Sequence, residues 1–202
     1  MEKNENLQDK SEINQNEEHS ENQKNVQEDK SQDLKEENNK LTSFDSYTSE
    51  GSTFPNGCHI VEVEIDPETG FSKIDRYTVI DDFGVVLNPM IVEGQIHGGI
   101  AQGIGQALLE DTIYDTTGQL ITGSFMDYTM PRADNIPSIE ISMNSFPCKT
   151  NSLGVKGAGE AGTTGATGAV INAIIDALSP YDISHIEMPA TPQRIWESIN
   201  KK

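Results

Sequence analysis

The stretch Leu153-Gly154-Val155-Lys156-Gly157-Ala158-Gly159-Glu160-Ala161-Gly162-Thr163-Thr164-Gly165 holds five glycines in thirteen residues and a single acid. Directly behind it, Val170, Ile171, Ile174, Ile175 and Leu178 recur at helical spacing, and the pattern stops before Pro180. Glycine lets a backbone approach a ligand closely and reach dihedrals that other residues avoid, at an entropic cost. The run therefore reads as a ligand-facing loop feeding a helix. Gly157, Gly159 and Gly162 form a literal GxGxxG, but that fingerprint needs a strand entering the loop and an acid closing a second parallel strand. Lys149 to Gly154 is no apolar strand, and no strand–helix repeat follows. A phosphate-cradling loop of the Gly-Lys-Ser/Thr type is also missing. Glu160 is open to two readings: an acid that complements a helix N-terminus, or a general base aimed at a substrate.

Toward the C-terminus, His185 to Met188 reads as a short extended piece. Thr191-Pro192 is an N-cap followed by a first-turn proline, and Ile195, Trp196 and Ile199 pack a final helix. Trp196 is expected in the core or an interface. Upstream of the loop, Ile139, Ile141 and Met143 alternate as a strand ended by Pro147, and Phe125 to Asp134 reads as a polar and aromatic loop. Ile113 to Gly123 predicts a hairpin around Asp115-Thr116-Thr117-Gly118. A helix is predicted from about Met90 to Glu110, with Ile96, Ile100, Ile104 and Leu108 as its apolar stripe. Small residues (Gly94, Gly98, Ala101, Gly105) form a second stripe, and Gln95, Gly99, Gln102 and Gln106 a third. Each interior glycine costs about 0.5–1 kcal/mol relative to alanine. So many in one helix imply a close neighbour, whether backbone or ligand. The amide row offers donors and acceptors to either. His97 borders the apolar stripe and is expected as a core histidine rather than a metal ligand. Farther upstream, Val61, Val63 and Ile65 alternate with Ile60, Glu62 and Glu64, predicting a half-buried strand over Cys58 to Ile65. A turn at Asp66 to Gly70 and a second strand, Phe71 to Ile80, complete a hairpin.

Residues 1 to about 50 are different in kind. Within 1–40 the apolar residues are Met1, Leu7, Ile13, Val26 and Leu34, spaced for neither heptad nor strand. Such a segment cannot bury enough apolar surface to offset its ordering entropy, so a disordered tail is expected before a domain over 51–202. Residues 1–50 hold 14 acids and 6 bases, a net of −8, and the remainder 19 acids and 8 bases, a net of −11. A chain of net charge −19 lacks the basic face a nucleic-acid partner requires. Cys58 and Cys148 fit no CxxC pair and are expected as free thiols in a reducing compartment. The first residues have no apolar core and read as no signal peptide. Gly94 to Leu109, the longest uncharged run, contains three glutamines and five glycines, unlike a membrane span. A cytoplasmic protein is the expectation. No Ser/His/Asp triad or metal-ligand cluster stands out in the sequence.

Gly94-Gln95-Ile96-His97-Gly98-Gly99-Ile100-Ala101-Gln102-Gly103-Ile104-Gly105-Gln106, Gly123-Ser124-Phe125-Met126-Asp127-Tyr128 and Gly154 to Gly162 together resemble segments of the molybdenum hydroxylases, the xanthine dehydrogenase and aldehyde oxidase family. The likeness runs from about Phe54 to Ile199 and is to the C-terminal end of large subunits of the aerobic carbon monoxide dehydrogenase type. It implies an α+β domain in which mixed β-hairpins and sheet pack with the Gly/Gln-rich helix and C-terminal helices. It implies molybdopterin, of the cytosine dinucleotide kind, held by Gly94, Gln95, Gly98, Gly99, Gln102, Gly103, Lys156, Gly157 and Gly159. No residue of this chain is expected to ligate a metal. Glu160 is implied as the active-site base for hydroxylation of an aldehyde, a heterocycle or a similar small molecule. FAD and [2Fe–2S] clusters are implied on partner subunits. Family large subunits run several times this length, so the upstream part of such a subunit is expected as a further partner. Without it the chain is expected to be inactive, with a non-catalytic, protein-binding remnant as the alternative.

Overall fold

The computed structural model describes residues 43–48 and 51–201. Residues 43–48 form neither helix nor strand, and the rest of the expected tail, 1–42 with 49 and 50, lies outside the described residues. All elements below belong to the unit Ser49–Lys202.

Strand β1 (Asn56–Ile65) and strand β2 (Ser72–Asp82) form the expected hairpin, with a register shift at Glu62/Val63. The connecting turn is held by Asp66, whose carboxylate accepts from the amide of Glu68 and the hydroxyl of Thr69. Gly70 closes it at φ +73, a conformation that favours glycine. Strand β3 (Ile139–Met143) adds to β2 in parallel, giving a three-stranded mixed sheet in the order β1-β2-β3. A parallel pair needs a crossover. That crossover carries helix α1 (Pro89–Leu108) and the one-turn helix α2 (Phe125–Tyr128). Helix α3 (Ala161–Ala177) follows the glycine loop, and helix α4 (Pro192–Asn200) ends the unit.

The helices begin where local chemistry caps them. Asn88 accepts from Ile91 N ahead of Pro89, and Thr191 accepts from Arg194 N ahead of Pro192. Ile96, Ile100 and Ile104 of α1 meet Ala166, Val170 and Ile174 of α3, and both rows lie in one core with Tyr77 and Val79 of β2 and Ile195 of α4. On β1 the alternation holds: Val61, Val63 and Ile65 are half-buried, while Ile60, Glu62 and Glu64 are exposed.

Several details differ from the sequence reading. His97 is exposed, because it follows Ile96 of the core-facing row Ile96, Ile100, Ile104 and is turned about 100° away from it. Trp196 is 44% exposed, so it is not a core residue; Ile195 takes the buried position. The second hairpin is reduced to one bridge, Tyr114 with Leu120, over a turn held by the Asp115 carboxylate. Within the expected loop 125–134, Ser124 caps α2, and a short turn of 3-10 helix forms at Ala133–Asn135. Residues 185–188 form no strand. Cys58 and Cys148 are free. Among the described residues no helix is long and apolar enough to cross a membrane.

Candidate functional site

Phe83 and Gly84 follow β2, and the glycine loop is laced to them. Lys156 N donates to Phe83 O at 2.9 Å, Val85 N donates to Gly154 O at 2.9 Å, and Gly84 bridges Val155. Gly84 and Gly154 both have positive φ, and a Cβ on Gly84 would fall 2.2 Å from the carbonyl oxygen of Gly154. Asn151 braces the turn by bonding both the amide and the carbonyl of Val155.

Asp82 organises this crossing. Its Oδ1 accepts from Gly84 N at 2.9 Å and from Phe146 N at 3.0 Å, and its Oδ2 pairs with the Lys156 ammonium. The Asp82 side chain is buried and that of Lys156 is 11% exposed. Burial alone would raise the Asp82 pKa, but the Lys156 ammonium and the two amides outweigh it and hold the carboxyl down to about 2. Lys156, expected at the cofactor, is thus engaged inside the chain.

The braced loop delivers Glu160 to the N-cap position of α3, where Thr164 N donates to its carbonyl. Its side chain makes no capping hydrogen bond and is exposed. Glu160 thus stands at a helix N-terminus, where the dipole favours an acid, but its carboxylate makes no hydrogen bond to the helix amides. It lines a cavity of about 490 Å³ together with Asn56, His59, Asp81, Gly159 and Thr164.

Helix α1 lies against the first turns of α3. A Cβ on Gly99 would come within 2.9 Å of the Gly162 Cα, and one on Gly103 within 2.7 Å of the Ala166 Cβ. Thr163 Oγ1 reaches Gly99 O at 3.1 Å and Gln102 Oε1 at 3.2 Å. Gly99, Gln102 and Gly103 are thus assembled with the residues just after Glu160, and the close neighbour of the two glycines is backbone and an alanine. Gln95 is exposed. Gly94, Gly98, Gly157 and Gly159 are different again, since a Cβ on any of them would meet nothing within 4 Å. These four glycines leave bare backbone that the described residues do not fill, and such backbone suits a flat polar group approaching closely. Of these, Gly157 and Gly159 line the cavity with the Glu160 carboxylate, and bare backbone next to an exposed carboxylate fits a pterin-type group. Among the described residues no group of three or more His, Cys, Asp or Glu side chains could hold a metal ion.

Three residues of the site went unread in the sequence: His59, Asp81 and Asp82. Periodicity contained the signal for the first two. His59 is in phase with Val61, Val63 and Ile65, and Asp81 with Tyr77 and Val79, so both face inward.

The chain matches the family model described as a molybdopterin cofactor-binding domain, over residues 3–137. It belongs to that family, in the molybdopterin-binding large subunits of the xanthine dehydrogenase type. It is 48% identical over 142 residues to the nicotine 6-hydroxylase large subunit of Paenarthrobacter nicotinovorans, covering 70% of this chain and 17% of that protein. It is 34% identical over 161 residues to the carbon monoxide dehydrogenase large chain of Hydrogenophaga pseudoflava, covering 80% of this chain and 20% of the relative. Among solved structures, quinoline 2-oxidoreductase from Pseudomonas putida 86 matches with a TM-score of 0.71 and 43% identity over 73% of this chain and 19% of its own. The Cu,Mo-CO dehydrogenase matches with a TM-score of 0.74 and 34% identity, over 76% of this chain and 19% of its own. The chain therefore spans about a fifth of the length of the relatives it matches.

Proposed function

We propose that this span forms one wall of a molybdenum hydroxylase active site and supplies Glu160 as its general base. The observation that carries the reading is the Glu160 carboxylate, held by a braced loop at the start of α3, making no capping hydrogen bond and lining a cavity. A molybdenum centre on its pterin, when bound, supplies a two-electron acceptor for oxidation of the substrate. The chain's own residues do the rest: Gly94, Gly98, Gly157 and Gly159 let backbone approach the pterin, and Gln95 and Gln102 offer amide groups. Glu160 takes a proton at its carboxylate as the substrate is hydroxylated. The pterin is of the cytosine dinucleotide kind, and the substrate is an aldehyde, a heterocycle or a similar small molecule. Partner subunits would hold the [2Fe–2S] clusters and FAD, in keeping with relatives named as large or gamma subunits.

This span does not turn over substrate without the rest of a large subunit, whether on the same chain or another. Met90, Phe125 and Met126 are 76%, 81% and 82% exposed, apolar side chains that suit contact with the rest of a large subunit. The test is reconstitution of the purified chain with candidate upstream and partner subunits, read as bound molybdenum. Metal uptake under a pairing supports docking, and no metal under any pairing refutes it. In a reconstituted assembly, Glu160→Gln is expected to keep its molybdenum and lose about 10²–10⁴-fold in turnover. Near-normal turnover would refute the base assignment.

A further inference from the structure

Strand β2 is paired on both sides along only part of its length. Tyr77 to Asp81 pair with β1 and β3, whereas Ser72 to Arg76 pair with β1 alone among the described residues. Running the β2–β3 register backward would set Ser138 opposite Arg76 and Pro137 opposite Asp75. The ladder stops short of them. A 3-10 turn at Ala133–Asn135 bends the chain just before, closed by Asn135 N on Arg132 O and by Arg132 N on Asn135 Oδ1. Pro137 has no N–H to give a ladder. A groove of about 470 Å³ opens here, with Phe71 to Arg76 and residues 134–138 among its lining. Successive residues of a strand turn their N–H and C=O groups to opposite sides, so about half of the backbone groups of Ser72–Arg76 face away from β1.

The walls set what can lie in this groove. Ile104 and Leu108 close it at 1% and 8% exposed, Leu109 and Ile136 are half-buried, and Phe71 stands 58% exposed beside Ser72. Lys73 pairs with Asp75 and Arg76 with Glu62, each at 3.4 Å, so these edge charges are matched within the chain. An extended segment laid along Ser72–Arg76 would meet the open backbone groups and turn alternate side chains onto the apolar ones. Residues 1–40 cannot supply it, because Met1, Leu7, Ile13, Val26 and Leu34 are too far apart to alternate. The relatives hold about four-fifths of their length outside the matched span, and that part is the fitting source.

We infer that this groove receives an extended segment from the rest of a large subunit, added beside Ser72–Arg76 in line with β3. The inference rests on the reading that such a part completes this chain, and it names where and in what conformation the two meet. The test is hydrogen exchange, read by mass spectrometry, on the full chain alone and in complex with the upstream large-subunit part. Residues 71–76 should exchange about tenfold or more slowly in the complex, while Tyr77–Asp81, already paired on both sides, should change less. Phe71→Asp should weaken the complex about tenfold or more, as loss of an aromatic anchor does. The exchange readout uses the unaltered chain and stands whether or not that variant folds. A complex in which residues 71–76 exchange as in the free chain, or one that Phe71→Asp leaves equally tight, overturns this inference alone. Slow exchange already present in the free chain also overturns it: loss of that protection on removing residues 1–42 would assign the groove to the tail, and loss on dilution to a second copy. No complex with any upstream part refutes the docking reading and this inference together.

Discussion

The glycines of the α1–α3 contact and those with open space beside them look alike in sequence and stand in opposite surroundings. Gly99, Gly103 and Gly162 are buried where two helices touch, and a Cβ on Gly162 would lie 2.7 Å from the Ile96 carbonyl oxygen. Gly94, Gly98, Gly157 and Gly159 would meet nothing at all. In the first group glycine is required by protein that is present. In the second, packing within the described residues imposes no such need. The contrast separates glycines that the packing of α1 on α3 requires from glycines that it leaves free.

The sharpest way to break this contrast is to release the loop while leaving its glycines alone. Lys156→Met would leave Asp82 buried without its cation, a change that costs about 3–5 kcal/mol when one partner of a buried pair is removed. At roughly 2–4 °C per kcal/mol for a domain of this size, the melting temperature should fall by about 10 °C. The double variant Lys156→Met/Asp82→Asn should recover most of that loss, since no charge is then stranded. If the single variant melts like the parent, Asp82 is not what holds the loop. Acid gives an independent reading of the same group. The folded Asp82 pKa, at about 2, lies below the ordinary carboxylate value near 4, so its contribution is fully present above about pH 4. It is lost as pH falls through 2. The parent's melting temperature should therefore drop more steeply than that of Asp82→Asn between about pH 4 and pH 2, and parallel curves would contradict this.

A smaller effect is expected at the helix contact. Alanine at position 99 gains about 1 kcal/mol of helix propensity, but its methyl would meet backbone of α3 at 2.9 Å. Overpacking of this kind costs about 1–3 kcal/mol, so Gly99→Ala should destabilise by about 1 kcal/mol in thermal melts. A rise in melting temperature would show that the helices can part at no cost.

Much of the scaffold was legible in the sequence, because it follows from periodicity and caps. The β1–β2 hairpin, the α1 stripe and the Thr191-Pro192 helix start all follow local rules. The site was harder to read for three physical reasons. The contact between Asp82 and Lys156 spans 74 residues, which no local pattern encodes. The inward turn of His59 and Asp81 is written in the strand phase, yet polar residues on an inner face read as strand ends. The division among glycines depends on what faces each one: helical spacing put Gly98 and Gly99 on different stripes but did not say which of the two meets a neighbour. Glu160 alone could be singled out early, because it is the lone acid of its loop; only the folded loop shows that its side chain is not a cap.

Gly98→Ala should produce the smallest change, and one of opposite sign. It lies in the interior of α1 with open space beside it, so alanine adds about 0.5–1 kcal/mol of helix stability without a clash. The isolated chain should then melt about 2–3 °C higher. In a reconstituted assembly the same methyl would stand where a ligand is expected to touch bare backbone, and bound molybdenum should fall. A variant that stabilises the chain and also keeps full metal content would place Gly98 outside the cofactor surface, and the open group would shrink to Gly94 and the two loop glycines. A variant that destabilises the isolated chain would mean that position 98 is packed after all, and the division between filled and open glycines would fail at the point where the two kinds are adjacent.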